Sequence, residues 1–98
     1  MSDTGTDRQT WIVDAEVMPR TGVNDPQGEA VMSGLHSLGF AATSRVRCGK
    51  LIRIETVAVS EDDAIRQGTE MCERLLANPV VEEYVVSVAS VVDGGTDS

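Results

Sequence analysis

Two successive strand-helix-strand patterns are the feature that most constrains how this chain can fold. Together they fill residues 11–92 of the 98-residue sequence and leave room for only one domain. The flanking residues 1–10 and 93–98 are rich in Ser, Thr, Asp and Gly, so neither end can bury enough apolar surface to offset the entropy lost on ordering. We therefore expect one folded domain at 11–92 between two disordered tails.

The first pattern begins with a half-buried strand at residues 11–18, where apolar and acidic side chains alternate. Asp25 is well suited to cap a helix, because its carboxylate can accept hydrogen bonds from free N–H groups of the first turn. Pro26 follows at the first helical position. The helix is predicted to run to about Leu38 and to stop at Gly39. Its apolar face consists of Val31, Leu35 and Leu38.

The second pattern begins with two short strands and continues with a helix. Residues 43–48 and 51–59 predict an antiparallel hairpin around the turn Gly49-Lys50. Ser60 then starts a helix in a capping-box-like arrangement. Its apolar stripe consists of Ala64, Ile65, Gly68, Cys72, Leu75 and Leu76. The sequence Asn78-Pro79 ends this helix, because a residue before proline is pushed out of the helical region.

The last strand, roughly residues 84–92, is apolar on both faces. One face carries Val86, Val88 and Val92, and the other carries Val85, Ala89 and Val91. Strands that are apolar on both faces need cover on both faces. Two helices in a small domain can cover one face of a sheet, so we expect a second copy of the chain to cover the rest. The residues predicted for this self-association are Val86, Val88 and Val92.

The order of elements, βαββαβ, predicts an α+β fold of the ferredoxin-like kind. Right-handed crossovers in this order give a four-stranded antiparallel sheet with two helices on one face. This fold hosts many unrelated functions, so it does not indicate one by itself.

Charge and cysteine content exclude several classes of function. A formal net charge of −8 and a pI of about 4.4 argue against nucleic acid and anionic membranes as partners, because both require a concentrated basic surface. Cys48 and Cys72 stand alone, without the spacing of a zinc site or a disulfide framework, and are expected to be buried free thiols. No apolar run approaches the roughly 18 residues of a membrane span, so we expect a cytoplasmic protein.

The residue pattern offers no catalytic, cofactor-binding or metal-binding site. His36, the only histidine, lies beside the apolar face of the first helix and is expected to have a structural or surface role. Gly49-Lys50 lacks the other residues of a phosphate-binding loop and is interpreted as a turn. The acidic residues 61–63 suit a helix N-terminus, where they interact favourably with the helix dipole.

Four segments, taken together, resemble one family. They are Asp25-Pro26-Gln27-Gly28, the helix end at residues 35–40, the turn Arg47-Cys48-Gly49-Lys50, and residues 71–84. In their order and spacing they are similar to the PurS family across about residues 11–92. The polar N-terminal extension and Cys48 depart from the family pattern.

The resemblance implies a non-catalytic small subunit of phosphoribosylformylglycinamidine synthase in purine biosynthesis. It further implies a homodimer or higher homo-oligomer that bridges a PurQ-like glutaminase subunit and a PurL-like amidating subunit, which uses ATP and Mg²⁺. Partner-contact residues are expected at element ends: Asp25, Pro26, Gln27, Gly28, Gly49, Lys50, Leu76, Ala77, Asn78 and Pro79. The alternative interpretation of these residues is that they are caps and turns needed only for folding.

Two other functions remain open from the residues alone. One is a stand-alone regulatory module of ferredoxin-like shape that binds a small ligand. The other is a small enzyme of the same fold, which would need a pocket containing His36 or a carboxyl group with a shifted pKa.

Overall fold

The computed structural model describes residues 8–92, which form three strands and two helices. In chain order these are β1 (Gln9–Pro19), α1 (Pro26–Ser37), β2 (Lys50–Ala58), α2 (Glu61–Met71) and β3 (Glu82–Val92). A π-helical turn at Cys72–Leu76 extends α2. The predicted tails lie almost wholly outside the described residues, except that β1 begins at Gln9, two residues before the predicted strand.

Both helix starts follow the sequence prediction. The Asp25 carboxylate accepts a hydrogen bond from the Gly28 N–H at 3.0 Å, and Pro26 occupies the first turn of α1. Ser60 caps α2, because its hydroxyl oxygen accepts a hydrogen bond from the Asp63 N–H at 3.1 Å. These side chains satisfy backbone donors that have no partner inside the helix.

The sheet is antiparallel and has the strand order β2-β1-β3. β1 therefore lies in the centre. Its residue Val13 is opposite Ile54 of β2 on one side and Val88 of β3 on the other. The pairing with β3 shifts between Ile12 and Val13, since Ile12 is opposite Ser90. The bulge changes which side chains of β3 share a face beyond this point.

The core lies between α2 and the face of the sheet that α2 covers. Alternate residues of β1 point into it, and Val13, Ala15 and Val17 are buried. Gly68 lets α2 approach closely, because a Cβ atom at this position would lie 2.8 Å from a methyl carbon of Val86 and 2.9 Å from one of Val13. Close packing of this kind explains a glycine in the middle of a helix despite its low helix propensity.

Two of the three residues predicted for self-association lie against this core. Val86 and Val88 are half-buried and pack against the cluster formed by Val13, Ala58 and Ala64. Val92 lies beyond the bulge, opposite Thr10. The apolar cover that Val86 and Val88 require is thus supplied within the chain by α2, and a role for the three in self-association stays a prediction.

The predicted four-stranded sheet is wrong for the described chain. Residues 43–48 form no strand, so the expected hairpin with β2 is absent from the part of the chain that the structure describes. These residues run back along α1 instead. The His36 ring bonds to the Thr43 carbonyl at 2.8 Å at one end of this segment, and Asp25 accepts a hydrogen bond from the Cys48 N–H at 2.9 Å at the other end.

The prediction that both helices cover one face of the sheet holds only for α2. This helix packs against all three strands, whereas α1 has no comparable packing against any strand among the described residues. The molecule is accordingly elongated, with extents of 62 × 30 × 18 Å. We call α1 together with the segment that returns beside it, residues 26–48, the arm.

Candidate partner-binding site

Three of the segments singled out in the sequence meet at one end of the sheet. They are residues 25–28 at the start of α1, residues 46–50, which lead into β2, and residues 76–83, which run from the end of the π-helical turn into β3. We call this region the loop end. Its contacts can be followed from Asp25, through two arginines, to the turn at Asn78-Pro79.

Asp25 joins the first two of these segments. One carboxylate oxygen accepts a hydrogen bond from the Gly28 N–H at 3.0 Å, and the other accepts one from the Cys48 N–H at 2.9 Å. These two donors, that of Cys48 first, hold the pKa of the Asp25 carboxyl below its ordinary value, and the nearby charge of Arg47 acts in the same direction. Asp25 is therefore a fixed carboxylate that fastens the arm at its base.

A glycine is required at position 28, because residues 46–48 lie so close to the start of α1. It is buried, and a Cβ atom there would collide with the Val46 carbonyl oxygen and the Asp25 carboxylate. Gly49 is similarly confined, since a Cβ atom there would meet the sulfur of Met18 and the carbonyl oxygen of Val17. A larger side chain at either position would separate residues 46–49 from the rest of the loop end.

Two arginines connect the third segment, residues 76–83, to the rest of the loop end. Arg20 donates from Nε to the Pro79 carbonyl at 2.9 Å, and its backbone N–H donates to the Val81 carbonyl at 2.9 Å. Arg47 donates to the Pro19 carbonyl and lies 3.7 Å from the Glu83 carboxylate. No pattern in the sequence indicates a role for Arg20. In the sequence alone, an arginine in a loop cannot be distinguished from a solvated side chain. The carbonyl groups that it contacts are known only from the fold.

The turn between α2 and β3 is exposed but well fixed. The Asn78 carboxamide oxygen accepts a hydrogen bond from the Val80 N–H at 3.1 Å, and the Asn78 N–H donates to the Glu82 carboxylate at 2.7 Å. Asn78 and Pro79 are exposed, while Ala77 before them is buried. A surface whose backbone is already ordered loses less entropy on binding than a mobile loop does.

The predicted partner-contact residues divide into two groups. Those that hold the backbone in place are buried or half-buried: Asp25, Gly28, Leu76 and Ala77. Those that face solvent are Pro26, Gln27, Gly49, Lys50, Asn78 and Pro79. The second group could contact another protein directly, and the first could position it.

The polar side chains considered for chemistry do not come together. His36 is exposed on α1 and bonds to the Thr43 carbonyl, so its Nε2 atom carries the proton and donates. Asp63 caps the Val59 N–H and pairs with Arg66 at the start of α2. Tyr84 donates to the Glu73 carboxylate at 2.8 Å.

Within residues 8–92, no three His, Cys, Asp or Glu side chains are grouped so that they could hold a metal ion. No helix in the same range is long and apolar enough to cross a membrane.

Comparison with known proteins gives one consistent result. Residues 12–90 match the family model described as PurS, phosphoribosylformylglycinamidine (FGAM) synthase. The chain is 43% identical over 75 residues to the PurS subunit of this synthase from Archaeoglobus fulgidus, covering 76% of this chain and 94% of the relative. It is 41% identical over 82 residues to the Bacillus subtilis subunit, covering 84% and 96%.

Solved structures show the same likeness in three dimensions. The PurS subunit from Thermotoga maritima superposes with a TM-score of 0.76 at 33% identity, covering 83% of this chain and 93% of that one. A chain of the PurLQS structure from the same organism superposes with a TM-score of 0.73 at 34% identity, covering 81% and 96%.

Proposed function

The chain belongs to the PurS family, and on that premise we propose that it is the non-catalytic small subunit of phosphoribosylformylglycinamidine synthase in purine biosynthesis. In this role it self-associates and bridges a glutaminase subunit and an amidating subunit in the cytoplasm. The observation that carries the proposal is its likeness, over most of both chains, to a chain of the PurLQS structure.

The reaction explains why a bridging subunit is useful. The glutaminase releases ammonia from glutamine by hydrolysis, leaving glutamate. The amidating subunit transfers a phosphoryl group from ATP, with Mg²⁺, to the amide oxygen of formylglycinamide ribonucleotide, which leaves ADP. Ammonia then displaces phosphate to give the amidine. Ammonia is easily lost to water or protonated, so an assembly that excludes water between the two reactions retains more of it. This chain supplies the assembly, and the large subunit holds the nucleotide and the metal ion.

The loop end is the surface that we assign to partner subunits. Pro26, Gln27, Lys50, Asn78 and Pro79 are exposed there, on a backbone that Asp25 and the two arginines hold in place. Rigid, exposed loops at one end of a small sheet are a common form of protein-binding surface.

A binding experiment tests this assignment. The double variant Gln27→Ala, Lys50→Ala removes two exposed side chains of the loop end without touching Asp25. We expect its Kd for the purified partner subunits to rise by about tenfold, which corresponds to ~1.4 kcal/mol. The control is Asp62→Ala, Arg66→Ala, which also removes two exposed polar side chains, but from α2. If both variants bound the partner subunits with the same Kd, the loop end would not be the contact surface.

A further inference from the structure

An open polar cavity of about 440 Å³ lies beside the loop end. It is bounded by the loop that follows β1, the first turns of α1 and residues 44–47 of the arm. Its charged lining consists of Arg20, Arg45, Arg47, Asp25 and Glu29. We call this cavity the arginine pocket.

The arginine pocket is positive in a chain that is strongly acidic. Three of the eight Lys and Arg residues of the chain line it, against two carboxylates, those of Asp25 and Glu29. Its charged lining therefore carries a net charge of +1, whereas the whole chain carries −8. A cleft whose charge is opposite in sign to that of the chain around it attracts a ligand that the rest of the surface repels, here an anion.

Two of the three arginines are held in place by backbone carbonyl groups. Arg20 donates from Nε to the Pro79 carbonyl, and Arg47 donates from Nη2 to the Pro19 carbonyl. The loop around Arg20 is itself fixed, because the Val23 N–H donates to the Arg20 carbonyl at 3.1 Å. A guanidinium has five N–H donors, so each of these arginines keeps donors for a further ligand. Side chains that are already ordered lose less entropy when they bind.

The arginine pocket lacks a carboxylate partner for two of its cations. Among residues 8–92, no Asp or Glu forms an ion pair with Arg20 or Arg45. Asp25 uses both carboxylate oxygens on backbone N–H groups, and Glu29 is exposed on α1. The pocket thus offers unpaired guanidinium groups to a ligand from outside the chain.

We propose that the arginine pocket binds one carboxylate side chain, an Asp or Glu in an acidic segment of a partner subunit. Arg20 and Arg45 donate to this carboxylate, and Arg47 adds its positive charge. The inference rests on the proposed function, in which the loop end meets partner subunits, and it names the chemistry of that contact.

The charge of the lining favours a carboxylate over a phosphate group. One carboxylate carries a single negative charge, which matches the net charge of the lining, whereas a phosphate monoester carries about −1.5 to −2 at neutral pH. Glu29 in the lining and Glu83, 3.7 Å from Arg47, repel the larger charge more strongly. The planar fork of a guanidinium also matches the two oxygens of a carboxylate.

The position of the pocket favours a protein as the source of this carboxylate. Arg20 contacts the exposed turn at Pro79, and Asp25 caps the helix whose first residues, Pro26 and Gln27, are exposed. The pocket is therefore continuous with the surface that we assign to partner subunits. It is open to solvent, so an acidic side chain on a docked subunit can enter it.

Removing one charge from the pocket tests the inference. We expect Arg45→Gln to raise the Kd for the purified partner subunits about tenfold at low salt, and to make the Kd less dependent on NaCl concentration. The Arg45 side chain is exposed and makes no hydrogen bond or ion pair with another described residue, so the variant should keep its sedimentation mass. The control is Arg66→Gln, which removes the same charge from an exposed position on α2 and should keep the wild-type Kd.

A zero-length cross-link identifies the group that binds. Lys50 is the only lysine of the chain, so in a Lys50→Arg background the substitution Arg45→Lys places the only side-chain amine at the pocket. A carbodiimide joins an amine to a carboxylate that touches it, with loss of water. We expect mass spectrometry to find a link between position 45 and an Asp or Glu of a partner subunit. The control Arg66→Lys in the same background should give no link to a partner subunit.

Three results would overturn the inference. One is an Arg45→Gln variant with the wild-type Kd and salt dependence. Another is a link from position 45 only to Glu29 or to another carboxylate of this chain. The third is saturable binding of inorganic phosphate to the wild-type chain in calorimetry that Arg45→Gln abolishes, because the pocket would then be a phosphate site.

Failure of the inference and failure of the proposed function give different results. A wild-type chain that binds no partner subunit would contradict both. Normal binding by the wild type and by Arg45→Gln would contradict only the role of the arginine pocket, and would leave the proposed function intact.

Discussion

The Asp25 carboxylate accepts a hydrogen bond from the backbone N–H of Cys48 at 2.9 Å, although 23 residues separate the two in sequence. The same carboxylate caps α1 through Gly28. One side chain thus starts the helix and also fixes the end of the segment that returns beside it. Through these two contacts Asp25 fixes the base of the arm.

Removing the Asp25 carboxylate should lower the stability of the folded chain by an amount that depends on pH. The pKa of Asp25 is lower in the folded chain than its ordinary value of 3.8, so its contribution to stability is present above pH 3.8 and is lost as pH falls through the lowered folded value. We expect Asp25→Ala to lower the urea midpoint at neutral pH, and the gap to the wild type to close in acid. Unfolding curves at one fixed protein concentration measure this.

The control for this experiment is Asp62→Ala. Asp62 is exposed in the first turn of α2 and should change the midpoint little at any pH. A constant gap between Asp25→Ala and the wild type from neutral pH to acid would contradict the assigned role of the carboxylate.

Adding one methyl group at Gly68 should destabilise the core. The new Cβ atom would lie within 3 Å of methyl carbons of Val13 and Val86, so α2 must move away from the sheet. We expect Gly68→Ala to lower the free energy of unfolding by about 1–3 kcal/mol, despite the better helix propensity of Ala. The control Arg66→Ala, exposed on the same helix, should change it by less than about 0.5 kcal/mol. Thermal unfolding of the three proteins gives the comparison.

The two cysteines should differ in their reaction with iodoacetamide. Burial raises the pKa of the Cys72 thiol above its ordinary value, with a smaller effect of the Glu73 charge in the same direction. Cys72 is fully buried, whereas Cys48 is half-buried. We expect mass spectrometry to find label on Cys48 first at neutral pH, and on Cys72 only after denaturant is added. Labelling of both at the same rate in the folded protein would contradict the burial of Cys72.

His36 should matter for the arm and not for catalysis. Its Nε2 atom donates to the Thr43 carbonyl, an exposed contact whose loss through His36→Ala should cost about 0.5–1.5 kcal/mol of stability. Synthase activity of the assembled complex should stay at the wild-type level. The control is Ser37→Ala, which changes the exposed residue next to His36 at the end of α1. Loss of activity with full assembly would instead support the hypothesis of a small enzyme that uses His36.

Local sequence signals predicted the separate elements well. Asp25-Pro26 and Ser60 place the helix starts correctly, and Gly39 follows α1 with a positive φ of 100°. Each of these signals acts within one turn of the chain, through a hydrogen bond or a backbone preference that any fold containing the element would use. The family resemblance is confirmed as well.

Local signals of this kind could not decide whether residues 43–48 pair with β2 in a hairpin. Alternating residues show that 43–48 can be extended, but the partner of a strand depends on contacts distant in sequence. Here Asp25 and His36 hold this segment along α1, and no pattern within the segment itself indicates those contacts. For the same reason the sequence predicted only part of the loop end. The contact of Arg20 with Pro79, which joins residues 59 positions apart, could not be predicted.

The most direct test of the bridging role compares two nitrogen sources. Purified amidating and glutaminase subunits are assayed for synthase activity with glutamine or with ammonium salt, with and without this chain. The bridging account predicts that glutamine supports activity only when the chain is present, whereas ammonia supports activity of the amidating subunit in either case. Equal glutamine-dependent activity without the chain would contradict the account.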